Sequence, residues 1–352
     1  MSARSLSRLL GILFLLTCQL TAAPAEIVLP TVNDHLFRGE GEKFYMYVHR
    51  TFEGKSSRPW QAGKYGFVRN LKRTEDGVIG TRFHEGIDIR PIKRDRSNKP
   101  LDEVKAIASG VVAYTCPVNG RSNYGKYIVV EHNWDSGPLC SLYAHLSDVK
   151  VQVGERVTQG QTIGMMGYTG AGINRERSHL HLELDLMLST HYDAWHAKYF
   201  GSKNYHGNHN GLNMAGLDVA GFYIAKNKDK TLTIPRFVKS RKVYYKVTVP
   251  RHGPLNLMTR YPWLVKGDAK TPTPSWEISF TASGLPVNVA ASNRKVSAPR
   301  VTSVRKCLSK HEYHTKGILT GTGYRASLSA TGRRFIDLLT WPENGEVTNA
   351  SN

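Results

Sequence analysis

The stretch Ser178-His179-Leu180-His181-Leu182-Glu183-Leu184 alternates strictly between polar and apolar residues. Such alternation belongs to a β-strand, whose side chains point to opposite faces with a period of two. His179, His181 and Glu183 therefore share one face, and the leucines take the other. Two neutral imidazoles side by side on a sheet face make a good corner for zinc. Taken alone, the same pattern also fits the polar outer face of a half-buried strand. Glu183 is either a further ligand or a partner that orients an imidazole.

The surrounding chain reads as more of the same sheet. Val104–Ala108, Gly110–Tyr114, Lys126–His132, Leu139–His145 and His179–Asp185 are short apolar runs separated by glycine turns. The run Val153–Gly164 combines strand and tight turn. It lacks the Gly-Lys-Ser/Thr ending of a phosphate loop, and no helical pattern follows it. The expected class is mainly β, an antiparallel sheet or sandwich. With 40% hydrophobic and 22% charged residues, the chain is globular rather than disordered.

The expected organisation has residues 1–25 as a signal peptide, 26–60 as an arm, 61–225 as the main domain and 236–352 as a smaller, β-rich basic module. Residues 186–225 read as partly helical. In the last module Val243, Tyr245, Val247 and Val249 share a strand face, and a short helix is expected near Gly332–Trp341.

Three further sites bear on chemistry. In His84-Glu85-Gly86-Ile87-Asp88, an imidazole and a carboxylate four apart can turn toward one metal, the glycine favouring a loop that enters a strand. Alone, that spacing also fits a turn with a solvated aspartate. His145, in Tyr143-Ala144-His145-Leu146-Ser147, ends a strand before a turn, and His132 reads as structural. His206 and His209, with Asn208 and Asn210, form either a surface loop beside the cleft or a second metal site.

Taken together and in order, H-x-x-x-D, Tyr-Ala-His-Leu-Ser, the glycine turns and H-L-H-L-E resemble the M23 (lysostaphin/LytM-like) family of zinc metallopeptidases. The resemblance runs from about Gly63 to Asp185 and includes Gly125 before Tyr127–Val130 and Gly167-Tyr168-Thr169-Gly170. It implies a LytM-like antiparallel sheet domain with zinc bound by His84, Asp88 and His181. It also implies that His145 and His179 flank the open coordination position as catalytic residues, without saying which is the general base. By the same resemblance the substrate is a peptide cross-link or stem of bacterial peptidoglycan. A non-catalytic M23-like protein that binds wall or activates another hydrolase is the competing reading, and the filled ligand set argues against it. Cupin-like barrels also carry H-x-H, but their remaining ligands lie downstream of it, whereas here they lie upstream. A polyanion-binding protein with incidental histidines is the third alternative.

The chain departs from the family in two places. Tyr65-Gly66-Phe67-Val68-Arg69 is one residue longer than the usual Phe-Gly-x-Arg, which leaves Arg69 without a role. The loop Ala171–Arg177 is longer and more charged than usual, leaving cleft shape and substrate choice open.

Arg4 and Arg8, the apolar run Leu9–Leu16 and Ala23-Pro24-Ala25 read as a cleavable export signal. The expected location is periplasmic, cell-envelope or extracellular. Leu15-Leu16-Thr17-Cys18 departs from a lipoprotein signal at Thr17. Export would permit a disulfide, and Cys116 with Cys140 is the favoured pair; free buried thiols are the alternative. The net charge is +20, and residues 221–352 hold 22 Lys/Arg against 7 Asp/Glu. Such a surface favours an anionic wall or membrane surface; nucleic acid is not the expected partner.

Overall fold

The computed structural model describes residues 26–134 and 136–342, so the expected signal segment, with Cys18, lies outside the described residues. The strands in chain order are β1 (Arg50–Phe52), β2 (Lys55–Ser57), β3 (Gly66–Thr74), β4 (Gly77–His84), β5 (Ile87–Ile89), β6 (Glu103–Lys105) and β7 (Gly110–Cys116). They continue with β8 (Lys126–Trp134), β9 (Gly137–Val149), β10 (Arg156–Val157), β11 (Thr162–Met166), β12 (Leu180–Met187) and β13 (Met214–Gly216).

Nine of these strands form one antiparallel sheet, ordered β10-β7-β8-β9-β11-β6, with β12 joined to β9 on one side and to β5 and β13 on the other. The alternation in β12 explains why it is central. Leu180, Leu182, Leu184 and Leu186 are fully buried in the main apolar cluster. On the opposite face His179, His181, Glu183 and Asp185 are buried as well, so this is not a solvated outer face. The polar face is covered by the β3–β4 hairpin and the loops around the cleft, which is lined by residues of both.

The arm is tied down by backbone bonds. Val28 N–H donates to Ile107 O, Lys105 N–H to Pro30 O, and Met46 N–H to Asp88 O. It then delivers Val48–Thr51, including the start of β1, to the rim of the cleft.

After β12 come helices Tyr192–Tyr199 and Val219–Lys228. Beyond them a five-stranded sheet is ordered Val265–Lys266, Pro286–Ser292, Ser275–Phe280, Tyr245–Pro250 and Arg300–Val304, and a helix Ala330–Leu339 follows. Tyr245, Val247, Trp276 and Ile278 of this sheet belong to the same apolar cluster as the β12 leucines. Polar contacts also cross. The Tyr261 hydroxyl accepts from Met187 N–H and donates to Pro138 O, and Trp195 Nε1 donates to Arg334 O.

The three described cysteines are buried free thiols. Cys116 and Cys140 do not form the favoured disulfide because β8 lies between their strands. Cys116 is registered against Tyr127 and Cys140 against Glu131, both on β8. Two strand spacings of about 4.8 Å each exceed what a disulfide can bridge. His132 is structural: its ring is fully buried, with Nδ1 2.9 Å from Ser109 O and Nε2 2.7 Å from Ser141 Oγ. Burial, only partly offset by the Ser109 bond, pushes it down to about 4 and keeps it neutral.

Candidate metal centre

Register brings the first pair together. His181 on β12 lies directly opposite Asp88 on β5, and residues directly opposite in an antiparallel pair present their side chains on the same face. His84 ends β4, three residues before β5 starts. The result is a triangle of donor atoms. His84 Nε2 is 3.0 Å from Asp88 Oδ1, His181 Nδ1 is 2.9 Å from the same oxygen, and the two nitrogens are 3.1 Å apart. Tetrahedral zinc with bonds of about 2.0–2.1 Å needs edges of about 3.3 Å, so small shifts suffice to hold the ion.

The protonation chemistry fits a cation. Burial and neighbouring charges hold His84 below its ordinary value despite Asp88, so it presents a lone pair. Asp88 is pushed up by burial, but the neighbouring His179 and His84 rings and the Arg69 guanidinium hold it well below the carboxylate range. Burial lowers His181, yet hydrogen bonds to Asp88 and Glu183 outweigh it and hold the ring up at about 9. Two carboxylates thus retain a positive charge at the place where a metal ion would supply one.

Each imidazole is aimed by its other nitrogen. His84 Nδ1 donates to Lys64 O at 2.8 Å, which turns Nε2 inward. His181 Nε2 donates to Glu183 Oε1 at 2.6 Å, which turns Nδ1 inward. Glu183 is therefore placed to orient His181 and lies outside the group of three converging atoms, and the Tyr124 hydroxyl steadies it at 2.9 Å. Asp185, next along the same face, is raised well above its ordinary value by burial and then by Glu183, so it stays neutral and leaves the charge on Glu183. Replacing Glu183 with Gln keeps the shape and removes that charge. The expected result is a 10–100-fold weaker zinc affinity, measured by competition with a chromophoric chelator.

His145 and His179 stand beside the triangle with ring centroids 4.9 Å apart. His145 Nδ1 is 2.9 Å from Thr169 O and His179 Nδ1 is 2.6 Å from Arg177 O, so both rings leave Nε2 for the cleft. His179 Nε2 is 3.4 Å from Asp88 Oδ1. The backbone of His145 has φ 63°, a left-handed conformation uncommon outside glycine. Register shifts in the pairing of β9 with β8 and β11 accompany it, and such irregularities re-aim side chains next to active sites.

The structure adds one residue that spacing left without a role. Arg69 Nη2 donates to Asp88 Oδ2 at 2.5 Å and lies 3.1 Å from His84 Nε2. It holds the outer oxygen of Asp88 and leaves Oδ1 facing the imidazoles. The extra residue, Val68, is absorbed by a bulge between Phe67 and Arg69 in the β3–β4 pairing. The arginine was visible in the sequence; the bulge that aims it was not.

His206 and His209 are not part of a metal-ligand group among the described residues. His206 Nδ1 is 3.0 and 2.9 Å from the Tyr114 and Tyr127 hydroxyls, in an aromatic cluster. A second group with metal-ligating atoms, Asp76, Cys307 and His314, joins the β3–β4 turn to the last part of the chain. There the Asp76 carboxylate is already engaged by the backbone N–H groups of Leu308 and Ser309.

His84, Asp88, His145, His179 and His181 all line one open cleft of about 1060 Å³. Residues 82–193, which contain all five, match the family model described as peptidase family M23. This segment is similar to M23 peptidases, and the match spans residues 82–193 of the 352 in the chain. No curated protein matches the chain. Among solved structures, a zinc-containing peptidase from Vibrio cholerae is 26% identical, covering 40% of this chain and 36% of that one, with a TM-score of 0.25. The catalytic domain of lysostaphin from Staphylococcus simulans is 23% identical over 41% of this chain and 81% of its own, with a TM-score of 0.24. The catalytic domain of a prophage-encoded M23 protein from Enterococcus faecalis is 24% identical over 29% and 68%, with a TM-score of 0.23. At these TM-scores the full folds superpose poorly, and it is the family model that bears on the M23 site. No helix among the described residues is long and apolar enough to cross a membrane.

Proposed function

We propose that this chain is an exported zinc endopeptidase that hydrolyses peptide cross-links or stems of bacterial peptidoglycan. The observation that carries the reading is the convergence of His84 Nε2, Asp88 Oδ1 and His181 Nδ1 to within 3.1 Å of one another. Two further imidazoles with inward-facing Nε2 atoms stand beside them. Three protein ligands beside an open cleft are the form of a catalytic rather than a structural zinc site.

In this reading His84, Asp88 and His181 hold zinc, which when bound supplies Lewis acidity and a more acidic water. Arg69 fixes the outer oxygen of Asp88, and Glu183 fixes His181. One of His145 and His179 accepts a proton at Nε2 as water attacks the amide carbonyl, and the other, in its doubly protonated form because its Nδ1–H is spent on a backbone carbonyl, donates from Nε2–H to the oxyanion that forms. The ring that accepted the proton then gives it to the departing amine. His145 is suited to begin as the acceptor, because burial and the neighbouring His179 and His181 hold it well below its ordinary value.

The 22 Lys/Arg against 7 Asp/Glu of residues 221–352 would hold the enzyme near an anionic wall or membrane surface. The deciding experiment is digestion of purified peptidoglycan followed by mass spectrometry of the fragments. New peptide amine termini are expected with zinc present and none after chelation. Fragments that appear equally in excess chelator would overturn the reading.

A further inference from the structure

The charges lining the cleft do not balance. Its carboxylates are all engaged within the protein. Asp88 is held by Arg69, Glu183 by His181, and Glu85 by Lys316 at 2.6 Å. Three more guanidinium groups, those of Arg50, Arg82 and Arg177, line the same cleft and have no carboxylate partner among the described residues. Arg50 donates from Nη2 to Val68 O at 2.5 Å. Arg177 donates from Nε to Tyr47 O at 3.2 Å and from Nη1 to Gly172 O at 3.3 Å. These are neutral carbonyls that fix the direction of each side chain; Arg177 also feels the more distant charges of Asp88 and Glu176, but forms a direct ion pair with neither. A guanidinium carries five N–H donors, so both arginines retain donors for a ligand.

The arrangement works against the fold's own electrostatics. Arg82 on β4 lies directly opposite Arg69 on β3, and like charges directly opposite across an antiparallel pair repel. Arg50 lies close enough to Arg69 for that charge to act on it. The longer loop Ala171–Arg177 brings Arg177 to the same space just before His179. A dication on His84, Asp88 and His181 would make the cleft more positive still. A planar guanidinium matches a carboxylate in a paired, two-bond geometry, and a partly shielded cleft strengthens that match.

We propose that Arg50, Arg82 and Arg177 form a subsite for the free carboxylates of an anionic peptide. The substrate is then a peptide bearing carboxylates next to the bond that is cut, not a neutral glycine bridge. This rests on the peptidase reading for the cutting but not for the binding, and the two separate experimentally.

The test uses the full zinc-loaded chain and three synthetic peptides: a stem-type cross-link with its carboxylates free, the same peptide with each carboxylate amidated, and pentaglycine amide. Binding is followed by calorimetry and hydrolysis by chromatography. The free-acid peptide should bind at least tenfold more tightly than its amide, and the difference should shrink as salt rises. In Arg82→Gln and Arg177→Gln chains the acid-over-amide ratio should fall severalfold, mainly through KM. Preferential binding of the acid with no peptide cut would support the subsite and sink the peptidase reading. Equal cutting of all three peptides would support the peptidase and overturn the subsite. Absence of any preference in binding overturns the subsite whether or not hydrolysis occurs.

Discussion

Asp88→Asn should strip the protein of zinc and of activity together. The substitution keeps the size and most of the hydrogen-bonding shape of the side chain and removes its charge. Asp88 is 1% exposed, and its Oδ1 faces His84, His179 and His181 while Oδ2 takes Arg69. A neutral amide there leaves a dication opposed by Arg69 with no carboxylate in direct contact. Zinc content should fall from about one per chain to below about a tenth, and kcat/KM by on the order of 10³-fold or more, since the ion is worth several kcal/mol to the transition state. Asp88→Ala should do the same and also lower stability by roughly 3–5 kcal/mol, because it leaves the Arg69 charge without its partner. Metal analysis, hydrolysis and thermal unfolding of both variants separate loss of the ligand from loss of the fold. An Asp88→Asn chain that keeps one zinc and cuts at the normal rate would remove Asp88 from the ligand set.

Much of this site was legible because period two is so restrictive. Once Leu180, Leu182 and Leu184 are assigned to the core, His181 and Glu183 have only one face left to occupy. The strands around β8, β9 and β12 and the mainly β class follow from the same periodicity. Strand neighbours were less legible. The favoured Cys116–Cys140 pair fails because β8 intervenes, a matter of order within the sheet that spacing along the chain does not encode. Arg69 fell out of view for a related reason: a one-residue bulge changes which side chain points inward without changing residue types. The role of Glu183 depended on which nitrogen of His181 faces Asp88, and only the three-dimensional arrangement decides that. The continuity of the apolar cluster from β12 into the five-stranded sheet is likewise tertiary, since each segment alone offers only a buried face.

His145 offers the converse test, in which metal and catalysis should come apart. Its ring is not one of the three residues whose donor atoms converge, and its Nδ1 is tied to Thr169 O. His145→Ala should keep close to one zinc per chain and lower kcat by on the order of 10²–10⁴-fold, the usual range for a positioned proton-transfer group. Alanine is a poor occupant of φ 63°, so this substitution also strains the backbone of β9 at residue 145. His145→Asn guards against that, because asparagine tolerates the left-handed conformation and its amide can still donate locally. Both variants should retain zinc and both should be slow, and the Asn variant should unfold near the wild-type temperature. If either one digests peptidoglycan peptides at the wild-type rate, proton transfer falls to His179 alone. Loss of zinc from the well-folded Asn variant would instead place His145 within the coordination of the ion, and the division between holding and catalytic histidines would have to be redrawn.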